Sequence, residues 1–335
     1  MKVRDIHTHG IDGYDTRSAT EDDILKIAEI QGYHGVSEIL LTIYPSTINV
    51  MREDMQIVIK AMDKQRSSAS GGISDQQAGI SSQKLEVNKI VSSELKTQDS
   101  NPPLPPFTKG GVGGITQSSR IMGLHLEGPF LNPSECGALD AKAFIEPTEY
   151  KFQELTEGFE DIVKIITIAP EIKGATSLIR NMSSMGIIVS MGHSDATYAE
   201  AETGFQAGAK GITHIFNAMR GFHHREPGIV GFGLLNQDIY IEVIADPYHL
   251  HVKTLDLIFK IKNPDRIIIV SDSVKETKKR RDKRVGKGIT DAAGRISGGC
   301  MTITESSKRL IKMGFDENVI MRGITENPER YLFVR

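Results

Sequence analysis

Cysteine is nearly absent from these 335 residues: Cys136 and Cys300 are too few and too far apart for a disulfide framework or a cysteine-based zinc site. A reducing, cytoplasmic setting is the expectation. Charge of one sign is also missing. With a formal net charge of −3 the chain has no general attraction for nucleic acid or anionic lipid. No apolar run reaches membrane length, and the N-terminal Met1-Lys-Val-Arg-Asp-Ile-His7 holds no signal-peptide core. The expectation is therefore a soluble protein with neither a membrane nor a nucleic-acid partner. The basic run Lys275–Arg284 lacks the interleaved aromatics and the motif of a nucleic-acid binder. What is present is an ordinary globular composition, 39% hydrophobic and 25% charged, in a chain long enough to bury a large core.

Short β-branched runs alternate with amphipathic stretches, the pattern of βα units closing on a parallel sheet. Eight runs stand out: Val3 to His7, Val36 to Ile43, Ile121 to Leu126, Ile162 to Ile168, Ile187 to Met191, Gly211 to Phe216, Ile239 to Ala245 and Arg266 to Ser271. Helical periodicity marks Glu21 to Gln31, Met51 to Lys64, Ala175 to Met185 and Val252 to Ile261. The fold class predicted is α/β, a (β/α)8 TIM barrel occupying residues 1–335 as a single domain. From Arg66 to Ser118 the pattern stops, and Ser, Gly, Gln and Pro dominate. That segment reads as a disordered insertion, with a proline-rich docking segment as the alternative. Without it roughly 280 residues remain, close to the ~250 of a typical barrel.

Candidate chemistry gathers at the C-terminal ends of these runs, where barrel active sites are assembled. Asp5-Ile-His7-Thr-His9-Gly10 ends the first; residues two apart on a strand point to the same side, so both imidazoles can meet one metal. Two ordinary loop histidines are the alternative. Glu127, in His125-Leu-Glu127-Gly-Pro, follows the third run and is a plausible metal ligand. His193 follows the fifth run and His214 lies in the sixth; each alone could be a structural histidine. Asp272 ends the eighth, the best candidate for a general acid/base beside a metal-activated water, or alternatively a helix N-cap.

With these pieces assembled, the chain resembles the N-acetylglucosamine-6-phosphate deacetylases of the amidohydrolase superfamily, from Asp5 to about Pro328 apart from the insertion. The resemblance rests on His125-Leu-Glu-Gly-Pro-Phe-Leu-Asn132, Gly192-His-Ser-Asp-Ala-Thr197, Thr213-His-Ile-Phe-Asn-Ala-Met219, Arg225-Glu-Pro-Gly228 and Ile244-Ala-Asp-Pro-Tyr-His249, in that order. It implies that Glu127, His193 and His214 bind the main divalent metal, with zinc the first choice. It also implies that His7 and His9 complete a second position, giving one or two ions per chain, and that Asp272 acts as general base and then acid. His249 would contact the sugar. Asn217, Ala218 and Ala138 would meet the substrate, a phosphorylated amino sugar, and Arg225 would reach its phosphate across a homodimer interface. A galactosamine epimer, another amide and a noncatalytic binding barrel are the competing readings.

Three departures accompany the resemblance. Where the family carries a histidine that polarises the acetyl carbonyl, Gly137-Ala-Leu139 has leucine, which would leave polarisation to a second ion held by His7 and His9. The small β-sandwich built from both chain ends in the family is expected to be missing. The insertion is expected to have no catalytic role. The basic run after the eighth strand reads as a solvated loop, or alternatively as a phosphate contact through Lys278 to Arg281.

Overall fold

The computed structural model describes residues 1–17, 19–70, 118–279 and 288–333. Eight parallel strands form one sheet in sequence order: β1 (Arg4–Thr8), β2 (Glu38–Ile43), β3 (Arg120–Leu126), β4 (Val163–Ile168), β5 (Ile188–Met191), β6 (Gly211–Ile212), β7 (Tyr240–Ile244) and β8 (Ile267–Val270). The chain closes the sheet just beyond β8. Ser273 forms a parallel bridge with Thr8, its carbonyl accepts from the His9 and Gly10 amides at 2.8 and 3.0 Å, and the Asp272 amide donates to His7 O at 2.9 Å. Gln31 donates from its side chain to the Thr8 and Ser273 hydroxyls and seals the seam. The result is the TIM barrel expected from the sequence.

Helices α1 (Glu21–Tyr33), α2 (Ile48–Ser70), α3 (Glu149–Thr156), α4 (Ala175–Ser184), α5 (Tyr198–Gln206), α6 (Gly228–Leu235), α7 (Val252–Ile261), α8 (Ile303–Lys312), α9 (Glu317–Ile324) and α10 (Glu326–Phe333) surround the strands. Local chemistry sets their starts. Thr20, Thr197 and Thr302 each form a reciprocal capping box with the acidic residue three positions on, Asp23, Glu200 and Glu305. The strands are apolar on both faces because one meets the helices and the other fills the barrel interior. Ile6, Leu40, Ile165, Ile188, Ile244, Ile268 and Val270 form the inner cluster. Tyr331 of α10 completes it, plugging the end opposite the strands' C-termini. There Gly211 leaves room for the phenol: a Cβ would stand 2.1 Å from the Tyr331 hydroxyl. Arg4 fastens the same end, its guanidinium bonding Glu38 at 2.7 Å, Thr325 O at 2.9 Å and Glu329 at 3.0 Å.

The expected insertion needs adjustment where it is visible. Helix α2 continues through the polar stretch from Arg66 to Ser70, past the predicted boundary. Ser67 and Ser68 donate to the carbonyls of Asp63 and Lys64, one turn back, so their hydroxyls are satisfied within the helix. Gln65 then pins α2 to the start of β3, donating to Ser119 O at 2.9 Å and accepting from the Ile121 amide at 3.0 Å. The remainder, residues 71–117, lies outside the described residues, and so do residues 280–287 of the basic loop. Strand β6 is also shorter than the run Gly211 to Phe216 suggests, ending at Ile212 because His214, Phe216 and Ala218 adopt positive φ. Among the described residues the only other sheets are two-stranded ribbons, at Gly10–Ile11 with Tyr14–Asp15 and at Ile289–Thr290 with Ile296–Gly298, and no helix is long and apolar enough to cross a membrane.

Candidate active site

The C-terminal ends of β1, β3, β5, β6 and β8 bring His7, His9, Glu127, His193, His214 and Asp272 together. Glu127 sits at the centre. Its Oε1 lies 3.1 Å from His193 Nε2, 3.0 Å from His214 Nε2 and 3.5 Å from His7 Nε2, while Oε2 lies 3.2 Å from His9 Nε2. The two histidines of the first strand meet the same carboxylate from the other side, so it stands between two groups of imidazoles. Asp272 Oδ1 is 3.6 Å from the Nε2 atoms of both His7 and His9. Burial would raise the Glu127 carboxyl, but the surrounding imidazoles of His193, His214, His7 and His9 outweigh it and hold the group well below the usual carboxylate range. The alternative of Asp272 as a helix N-cap is not met, since no helix starts there.

The proton positions show that these side chains suit a cation. His193 Nδ1 lies 2.9 Å from Glu135 O; a carbonyl only accepts, so Nδ1 carries the proton and Nε2 presents a lone pair. That lone pair faces a carboxylate oxygen at 3.1 Å and His214 Nε2 at 3.2 Å. A buried meeting of acceptors is repulsive without a positive charge among them. Tetrahedral ligands at metal distances of ~2.1 Å stand about 3.4 Å apart, a few tenths of an ångström more than the separations here. Glu127 with His193 and His214 forms one such group, and Glu127 with His7 and His9 another.

Backbone strain concentrates in the same place. His193, His214, Ala218 and Asp272 all have positive φ, 46°, 30°, 48° and 47°, a region costly for non-glycine residues. The run from His214 to Ala218 makes a tight turn, in which the Asn217 amide and side chain both donate to His214 O. Gly137 brings the loop after β3 against this turn: a Cβ there would stand 3.1 Å from Ala218 Cβ and 3.7 Å from His193 Cε1. Ala138 and Leu139 therefore lie beside the site. Among the described residues the Ala138 and Ala218 amides have no acceptor, which leaves them available to a ligand. His249 is held by Asp246, Nδ1 to Oδ2 at 3.0 Å; burial opposes its protonation, but the Asp246 and Asp272 charges raise its pKa. Arg225 is exposed on the loop before α6 and is not gathered into the cluster. Lys278 is committed to Glu305; residues 280–284 of the basic run lie outside the described residues.

Three groups escaped the sequence reading. Glu242 of β7 is fully buried and accepts from His7 Nδ1 at 3.0 Å. His125 lies under His7 with its ring nitrogens against Ile6 O and the Thr167 hydroxyl, and burial, reinforced by His7, lowers its pKa to about 3. Tyr44 stacks on His9 at 3.7 Å between centroids, and the Arg17 guanidinium lies 3.9 Å from the centroid of the Tyr44 ring. Each had a signal: a carboxylate inside the apolar Tyr240-Ile-Glu-Val-Ile run, a histidine two residues before Glu127, and an aromatic just past the second strand.

No family model matches the chain. The N-acetylglucosamine-6-phosphate deacetylase of Bacillus subtilis (strain 168) is 36% identical over 186 residues, 55% of this chain and 44% of that protein. The N-acetylgalactosamine-6-phosphate deacetylase of Escherichia coli O157:H7 is 34% identical over 166 residues, 50% of this chain and 42% of that protein. The crystal structure of N-acetylglucosamine-6-phosphate deacetylase from Thermotoga maritima matches with a TM-score of 0.74 and 25% identity, covering 98% of this chain and 77% of that one. The chain thus spans about half the length of the curated relatives it matches. Barrel, motif order and matches agree with the resemblance seen in the sequence: beside that galactosamine enzyme, the homologues and structural neighbours of this chain are N-acetylglucosamine-6-phosphate deacetylases.

Proposed function

We propose that this chain hydrolyses the acetamide of N-acetylglucosamine 6-phosphate, giving glucosamine 6-phosphate and acetate, with a divalent metal, zinc by first choice. The observation that carries the reading is the meeting of Glu127, His193 and His214 around one point with Asp272 facing them. Glu127, His193 and His214 would hold the ion, and His7 and His9 would complete a second position with the same carboxylate. The metal would supply Lewis-acid polarisation of the attacking water and the acetyl carbonyl. That role carries extra weight because Leu139 has no donor to offer the carbonyl.

Asp272 moves the protons. Its carboxylate takes one from water as the oxygen adds to the acetyl carbon, and returns it to the sugar nitrogen as the C–N bond breaks. His249, held by Asp246 and biased toward its charged form, orients the sugar. The Ala138 and Ala218 amides and the Asn217 side chain line the approach, and Arg225, exposed in one chain, meets phosphate across a homodimer. A guanidinium matches phosphate oxygens with a fixed fork of donors.

Acetate release tests this with three substrates: N-acetylglucosamine 6-phosphate, its galactosamine epimer and N-acetylglucosamine without phosphate. The first is expected to be turned over best. Arg225→Ala is expected to raise its KM by about 10-fold, the worth of one charge-assisted hydrogen bond, and to leave the nonphosphorylated sugar unaffected. Equal loss on both sugars would remove Arg225 from phosphate recognition. Preference for the epimer would change the substrate and keep the chemistry.

A further inference from the structure

Glu242 presents a physical problem that the proposed reaction leaves unsolved. Its side chain is 2% exposed in the barrel interior, yet Oε1 has no hydrogen-bond partner and Oε2 has only His7. A buried, half-satisfied carboxylate costs several kcal/mol unless positive charge compensates it. His125 makes no hydrogen bond to it, since its ring nitrogens are engaged by Ile6 O and Thr167.

The geometry at His7 indicates where the compensation comes from. A carboxylate accepts, so His7 Nδ1 carries the proton and donates to Glu242 at 3.0 Å. In the neutral ring that a cation requires, the opposite nitrogen, Nε2, offers its lone pair. It has no hydrogen-bond partner and faces two further carboxylates, Glu127 at 3.5 Å and Asp272 at 3.6 Å. Carboxylate, imidazole and an acceptor-lined gap stand in series, the arrangement in which a metal-ligating histidine has its tautomer fixed from behind. His193 has the corresponding support from a backbone carbonyl, Glu135 O, which carries no charge.

We propose that Glu242 is a positioning residue: it fixes the Nδ1-protonated tautomer of His7 and so builds the second cation position, shared by His7, His9 and Glu127. This rests on the reading of the cluster as a metal centre, but not on the identity of the substrate. Behind His7 a charge was placed; behind His193 a neutral acceptor was enough. The second position therefore depends on Glu242, and the position formed by Glu127, His193 and His214 does not.

The test is zinc titration of the stripped, folded protein with metal counted per chain, for the wild type, Glu242→Gln and Glu242→Leu. The wild type is expected to hold two ions. Glu242→Gln keeps an acceptor for Nδ1 without the charge, and is expected to weaken the second ion about 10-fold; Glu242→Leu, without either, about 100-fold. The first ion should bind unchanged in both. One ion per wild-type chain at saturation, unchanged second-ion affinity in Glu242→Gln, or equal weakening of both ions would overturn the proposal. The near-isosteric glutamine variant decides the matter even if the leucine variant does not fold. Because the readout is metal stoichiometry, a failure to release acetate leaves this result standing and tests the proposed reaction separately.

Discussion

Asp272→Asn is expected to lower acetate release from N-acetylglucosamine 6-phosphate by about 1,000-fold, within the range for removal of a positioned general acid/base. The substitution is unusually clean here. Asparagine is nearly isosteric with aspartate and tolerates the left-handed backbone that Asp272 adopts at φ 47°, so the turn after β8 is preserved. The backbone bonds that close the barrel, Asp272 N to His7 O and Gly299 N to Asp272 O, do not involve the side chain. The amide cannot accept the proton of the attacking water, and the first metal position does not include residue 272. Zinc at the first position and the melting temperature should therefore stay at wild-type values while turnover collapses. Activity within tenfold of wild type would remove Asp272 from the proton path.

The second large effect concerns Glu127. Its carboxylate touches four imidazoles, and it belongs to both metal positions proposed above. Glu127→Gln replaces a negative charge with an amide whose NH2 is a donor facing lone pairs. Metal binding should fail at both positions together. With zinc at about 100 times its dissociation constant, a site of this kind adds about 2.7 kcal/mol to stability. For a chain of this size that raises the melting temperature by roughly 5 °C. The wild type should show that rise when zinc is added to stripped protein, and Glu127→Gln less than about 1 °C. A full zinc-dependent rise in the variant would mean that the ion binds elsewhere.

The barrel was legible because its strands are buried on both faces: runs such as Ile162–Ile168 and Ile239–Ala245 are mostly apolar and β-branched, and each landed within two residues of a strand. β6 was the exception. The composition of Gly211 to Phe216 is that of a strand, but the positive φ values that aim His214 and Ala218 at the site leave no trace in residue type. Helix α2 outran its prediction for a related reason, since serines that bond back to the preceding turn can stay helical in a sequence that reads as a linker. In the site, ligands at strand ends were found because imidazole spacing and strand position are both sequence properties. Glu242 and Tyr44 were not, because what matters about them is which side chain they face across the barrel. That depends on register between strands far apart in the chain.

Acetate release from N-acetylglucosamine 6-phosphate by the purified chain, stripped of metal and then restored with zinc, tests the central claim most directly. The account predicts no release without metal and recovery on addition of zinc, in proportion to the ion bound. A folded, zinc-loaded protein that releases no acetate would contradict it and leave the barrel as a binding protein, with Leu139 the first residue to examine.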